Sequence, residues 1–130
     1  MARSASRHPT ELELEILKIL WRDGPSNVRH VRDSLVDFRE LAYTSVMTMM
    51  TIMAKKGYLK RRKTDGGYVY RAAISAESTT RGMLRDLVDR AFDGSAAALM
   101  VNLLETKEID ADELRQLREL INRKAGGQSL

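Results

Sequence analysis

Apolar residues recur at helical spacing from the tenth residue onward. Leu12, Ile16, Ile19 and Leu20 share one face of a helix over about 10–22, and Leu14, Leu17 and Trp21 form a second face nearly opposite. A helix that is apolar on two sides is covered on two sides, here by the local core and by a later segment. Thr10 and Glu13 fit a capping box at its start, and Asp23-Gly24-Pro25 ends it by turn chemistry. Ser26 is expected to cap a second helix over about 27–38, with Val28, Val31, Leu35 and Phe38 on one face. A charged connection over 37–41 leads to a third helix over about 43–56. On it Val46, Met49, Met50 and Met53 point one way. Thr44, Thr48, Thr51 and Lys55 fall within about 60° of each other on the other side, flanked by Met47 and Ile52.

Gly57 is placed to end that helix in a left-handed conformation. Two strands, 58–64 and 68–74, follow around Asp65-Gly66-Gly67, a hairpin signal. From 75 the pattern changes. A helix over about 77–92 carries Met83, Leu84, Leu87, Val88, Ala91 and Phe92, and Gly94 breaks it. Ser95 caps a short, largely apolar helix, AAALMVNLLE. Asp110 and Glu113 suggest a capping box for a last helix over about 111–124, with Leu114, Leu117, Leu120 and Ile121. The fold class is mainly α with a small β-hairpin. A winged helix-turn-helix spans 10–75 and a helical region spans 76–125, between a loose arm over 1–9 and a loose tail over 126–130.

Composition removes several functions. With no cysteine there is no disulfide, thiolate metal site or thiol nucleophile. The run of methionines in the third helix lacks Cys or His partners and reads as adaptable core packing, so no metal and no cofactor is expected. Glu11, Glu13 and Glu15 diverge on a helix, and Ser26, His30 and Asp33 lack the context of a catalytic triad. An enzyme is therefore not expected. The longest apolar run, 96–101, is too short to span a membrane and the first ten residues are not a secretory signal, which predicts a cytoplasmic protein without membrane insertion.

Charge is divided unevenly. Residues 1–75 carry 14 Lys/Arg against 8 Asp/Glu, and residues 76–130 carry 8 against 10. A polyanion belongs on the first half. A small polar helix face beside a basic ribbon suits a groove with phosphate walls, so the partner is double-stranded DNA. Candidate base-edge contacts are Thr44, Ser45, Met47, Thr48, Thr51 and Ile52, and candidate phosphate contacts are Lys55, Lys56, Lys60, Arg61, Arg62 and Lys63. The last helices cannot bury their apolar surface alone. A two-fold homodimer accounts for it, through Leu84, Leu87, Val88, Leu99, Met100, Leu103, Leu104, Leu114, Leu117, Leu120 and Ile121. Two other readings are a ligand-responsive winged helix of the MarR type and a winged helix used only for protein contacts.

Three blocks in order, TELELEILKILW at 10–21, AYTSVMTMMTIMAKKGYLKRRK at 42–63 and NLLETKEIDADELRQLRELINRK at 102–124, resemble the BlaI/MecI penicillinase-repressor family. The resemblance implies a dimeric repressor on a palindromic operator. It also implies a membrane-bound sensor metalloprotease as partner, and a cleavage in the C-terminal region, in response to a β-lactam, that ends repression. The corresponding bond is Asn102-Leu103, where the family usually has Asn-Phe. Met47 and Ile52 stand where some members carry arginine, which implies a different operator or more dependence on the wing. The copper-responsive relatives carry C-terminal cysteine motifs, which this chain lacks.

Overall fold

A computed structural model describes residues 8–127. The predicted arm up to Arg7, and the predicted tail from Gln128, lie outside the described residues. In chain order the elements are α1 (Glu11–Asp23), β1 (Ser26–Asn27), α2 (Val28–Ser34), α3 (Tyr43–Lys55), β2 (Leu59–Thr64), β3 (Gly67–Ala72), α4 (Ala76–Ala91), α5 (Ala96–Thr106) and α6 (Ala111–Ala125). The chain forms two compact units, and the division falls inside α4, between Arg85 and Asp86.

The core of the first unit follows from the two-sided pattern of α1. Ile16, Leu17, Ile19 and Leu20 are buried with Val28, Val31 and Leu35 of the second helical segment, Val46, Met50 and Met53 of α3, and Leu59 and Tyr70 of the hairpin. The second face of α1 does meet a later segment, since Trp21 donates its indole N–H to the Ile74 carbonyl at 2.9 Å. The capping box is complete, with Thr10 N–H donating to Glu13 Oε1 and Glu13 N–H to Thr10 Oγ1. The first unit extends into α4, where Thr79 is buried and a Cβ added at Gly82 would sit 3.3 Å from His8 Cε1.

Two expectations are corrected. Ser26 does not cap α2. Asn27 does, accepting from His30 N–H at 2.8 Å, while Ser26 donates its hydroxyl to the Gly24 carbonyl and pairs with Tyr70 as part of β1. Nor does α2 reach 38. It ends at Ser34, and Phe38 and Arg39 N–H both bond back to the Leu35 carbonyl in a tight turn. Phe38 is consequently exposed, with Arg39 stacked over its ring at 5.3 Å, and does not share the buried face of Val28 and Val31.

The two-residue β1 makes the hairpin a three-stranded antiparallel sheet in the order β1-β3-β2. The exit from α3 is a Schellman arrangement: Tyr58 N–H bonds to the Met53 carbonyl and Gly57 N–H to the Ala54 carbonyl, around Gly57 at φ +90°. That sharp stop sends the chain straight from the third helix into the basic strand. In the second unit Ser95 caps α5 as the pattern predicted, and Asp110 caps α6 by accepting from Glu113 N–H, without the return bond from the Glu113 side chain that a full capping box would add.

Candidate nucleic-acid interface

The amphipathic spacing of α3 decides what its two sides present. Val46, Met50 and Met53 are fully buried, which leaves Thr44, Ser45, Met47, Thr48, Ile52 and Lys55 exposed on the outward side. Thr51 is half-buried and donates its hydroxyl to the Met47 carbonyl at 2.9 Å, so it offers outward only an acceptor and a methyl group. No side chain caps the start of the helix at Ala42. The outward stripe therefore combines short hydroxyl groups, two apolar side chains suited to thymine methyls and one terminal cation.

Strand alternation sorts the wing cations. Leu59 and Tyr70 are buried, so the face they share is the inner one, towards the helices. Arg61, opposite Tyr70, and Lys63, opposite Tyr68, continue that face beyond the core. Lys60, opposite Arg71, and Arg62, opposite Val69, lie on the other face. Arg61 is held in place. Its guanidinium stacks 4.2 Å above the Tyr68 ring and its Nη1 donates to the Tyr70 hydroxyl at 3.4 Å. The bond to Tyr70 raises the Arg61 pKa further above its ordinary value.

Lys56, expected among the phosphate contacts, is otherwise engaged. Its ammonium sits 2.7 Å from Oε2 of Glu13, a carboxylate only 1% exposed, and 5.7 Å from the Tyr58 ring centre. It braces the end of α3 against the first turn of α1. Glu13→Ala should cost about 2 kcal/mol, since it removes both a capping acceptor and the buried ion-pair partner of Lys56. Glu13→Gln, which keeps the acceptor for Thr10, should cost less. Urea unfolding of the two variants checks the order.

A groove of about 340 Å³ runs between the start of α2, the first turn of α3 and the hairpin tip. It is lined by residues the sequence reading did not select, among them Asn27, Arg29, Tyr43 and Tyr68. Tyr43 was within reach, because it stands one turn before Met47 on the outward side of α3. Asn27 and Arg29 were not. Their place depends on the pairing of Asn27 with Val69 across the sheet.

Ser26, His30 and Asp33 each bond to a different neighbour. His30 bonds to Asp23 at 2.7 Å, Ser26 to the Gly24 carbonyl, and Asp33 to Arg32. Hydrogen bonds from Arg22 and then His30 hold the Asp23 carboxyl well below the usual carboxylate range.

In the second unit the apolar residues of the last helices face outward. Met100, Leu103 and Leu104 on α5 are exposed, as are Leu114, Leu117, Leu120 and Ile121 on α6, where the last two are each 52% exposed. Leu84 and Leu87 of α4 are exposed as well, while Val88 and Leu99 are half-buried. The Asn102-Leu103 bond lies inside α5. The Asn102 carbonyl accepts from Thr106 Oγ1, and its side-chain amide donates to the Ala98 carbonyl. Among the described residues no helix is long and apolar enough to cross a membrane.

A family model described as penicillinase repressor matches residues 9–123. The transcriptional regulator BlaI of Mycobacterium tuberculosis is 33% identical over 113 residues, covering 85% of this chain and 80% of that protein. The methicillin resistance regulatory protein MecI of Staphylococcus aureus is 20% identical over 112 residues, covering 86% and 91%. A penicillinase repressor of Staphylococcus aureus is 20% identical over 110 residues, covering 85% and 87%.

Proposed function

Since the chain belongs to the penicillinase-repressor family, a family of transcriptional repressors and not of enzymes, we propose that it is a cytoplasmic homodimer that binds a palindromic operator through α3 and the inner face of the wing. The observation that carries this reading is the outward stripe of α3 continued by Arg61 and Lys63. Among the described residues neither those two cations nor Lys55 has an acidic partner in an ion pair. Thr44, Ser45, Met47, Thr48, Thr51 and Ile52 read base edges, and Lys55, Arg61 and Lys63 contact phosphates. Lys56 is assigned to holding the fold.

Dimer formation fits the exposed apolar faces of α5 and α6. A two-fold pair fixes the separation of two recognition helices, which is why the operator should be palindromic. Cleavage at Asn102-Leu103 by a membrane-bound sensor metalloprotease would separate α6 from the rest of the chain and release the operator. A protease requires extended peptide, so a bond in the middle of α5 becomes a substrate only when that helix opens locally.

In vitro selection from random duplexes tests the reading. It should recover a palindrome whose half-sites lie a whole number of helical turns apart, and recovery of no enriched motif would remove it. On the recovered site, Lys55→Ala should weaken binding to all sequences alike. Thr48→Ala should instead alter preference at one or two base pairs, by about 1–3 kcal/mol. Equal losses on operator and random DNA from both variants would contradict this division of labour.

A further inference from the structure

Between Tyr43 and Ala54, α3 carries no Arg, Lys, Asn, Gln, Asp or Glu. The bidentate donors that read guanine, the amides that read adenine and the carboxylates that read cytosine are therefore absent from its outward side. That side offers hydroxyl groups and two apolar side chains, Met47 at 40% and Ile52 at 41% exposed. Five residues apart, these two lie about 140° apart around the axis, one on each border of the threonine stripe. Thr51 adds to the apolar content, since its hydroxyl hydrogen is committed to the Met47 carbonyl.

Single exposed apolar side chains are ordinary on a protein surface. Two observations set this pair apart. Met47 and Ile52 border a stripe of short side chains, so a partner that enters between them covers both. Around them, Lys55 on the same helix and Arg61 and Lys63 on the wing have no acidic partner in an ion pair among the described residues. An apolar pair inside a frame of such cations fits a partner with anionic walls and apolar groups on its floor. In the major groove of a duplex the walls are phosphates, and the apolar group displayed on the floor is the C5 methyl of thymine.

We propose that Met47 and Ile52 select thymine in each half-site by packing on its C5 methyl group. The two methyls belong to opposite strands, because the side chains stand on opposite borders of the stripe. With the helix axis along the groove, five residues at a rise of about 1.5 Å each place the two methyls about two base pairs apart. This rests on the operator-binding reading above and names what α3 reads there.

The test begins with DNA and needs no variant. The full chain is bound to the duplex recovered by selection, with each thymine of the half-sites replaced in turn by deoxyuridine. That change removes the methyl and leaves charge, pairing and every hydrogen-bonding group in place. At two thymines in each half-site the affinity should fall, by about fourfold for each methyl lost and on the order of 10²-fold for all four in the palindrome. Met47→Ala should bind the thymine and deoxyuridine forms equally at one of those positions, and Ile52→Ala at the other. Neither side chain belongs to the buried core, so both variants should fold. Runs of A·T pairs also narrow the minor groove and stiffen the duplex, and a second substitution separates that cause. A cytosine–guanine pair at a sensitive position should weaken binding, and 5-methylcytosine in its place should recover about fourfold, because the methyl returns without the A·T pair.

A palindrome recovered without thymine in its half-sites would overturn the proposal, as would deoxyuridine replacements that leave the affinity unchanged. So would 5-methylcytosine that binds no better than cytosine, which assigns the preference to duplex shape. Sensitivity to deoxyuridine that both variants retain would give the methyl contacts to the threonines, and that too would sink it. Recovery of no enriched motif has a different meaning, since it removes the operator-binding reading before any methyl is in question.

Discussion

A chain ending at Asn102 is expected to lose operator affinity by a factor of about 10²–10⁴. The argument begins with α5 and α6. Their leucines and isoleucine are spaced for one apolar stripe each, yet Leu104, Leu120 and Ile121 remain more than half exposed in the single chain. Faces of that kind are stable in water when a second copy covers them. Joining two protomers makes engagement of the second half-site intramolecular, and the gain is lost once the protomers separate. The core of the first unit lies wholly before the cut, between Ile16 and Tyr70, so the truncated chain should keep its fold and, in this reading, a weak affinity for a half-site. Sedimentation at micromolar concentration should give twice 14.7 kDa for the intact chain and a monomer for the truncated one. An unchanged dimer with unchanged operator affinity after truncation would end the cleavage mechanism.

The second large effect is that of salt. On a duplex limited to the half-sites, Lys55, Arg61 and Lys63 of two protomers neutralise six phosphates in this reading. The slope of log affinity against log salt should then be about −5, a loss of about 10³-fold between roughly 50 and 200 mM. Arg61→Ala should make the slope shallower by about two, one cation for each protomer. Tyr68 sharpens the test because its ring orders the guanidinium in advance, which lowers the entropy lost on phosphate contact. Tyr68→Ala should weaken binding while leaving the slope nearly unchanged, since the charge remains, and Tyr68→Phe should restore it. A flat salt profile would favour a winged helix that contacts proteins only.

Much of this architecture is legible in one dimension because it depends on neighbours in the chain. Capping pairs such as Thr10 with Glu13 act over three residues. The burial of Val46, Met50 and Met53 follows from helical spacing, and the stop at Gly57 from a backbone conformation that favours glycine. The failures share a cause. Ser26 and Asn27 are both good caps, and the choice between them was made by Tyr70 and Val69 some forty residues away. The end of α2 at Ser34 was set by the turn that brings α3 against it, where the local pattern would have continued to Phe38.

The four consecutive cations show the division most clearly. That they exist, on a strand directly after α3, is determined by the sequence alone. So are the helices, the hairpin, the threonine-bearing side of α3 and the apolar surplus of the last segments, all products of periodicities that span a few residues. Which cation faces where was decided only by the tertiary structure. Sheet register set Arg61 on Tyr68 and Lys60 against Arg71, and packing of α1 on the end of α3 gave Lys56 to Glu13. A side chain's charge is fixed by its own chemistry, but its partner is fixed by contacts between segments far apart in the chain, which local spacing does not encode.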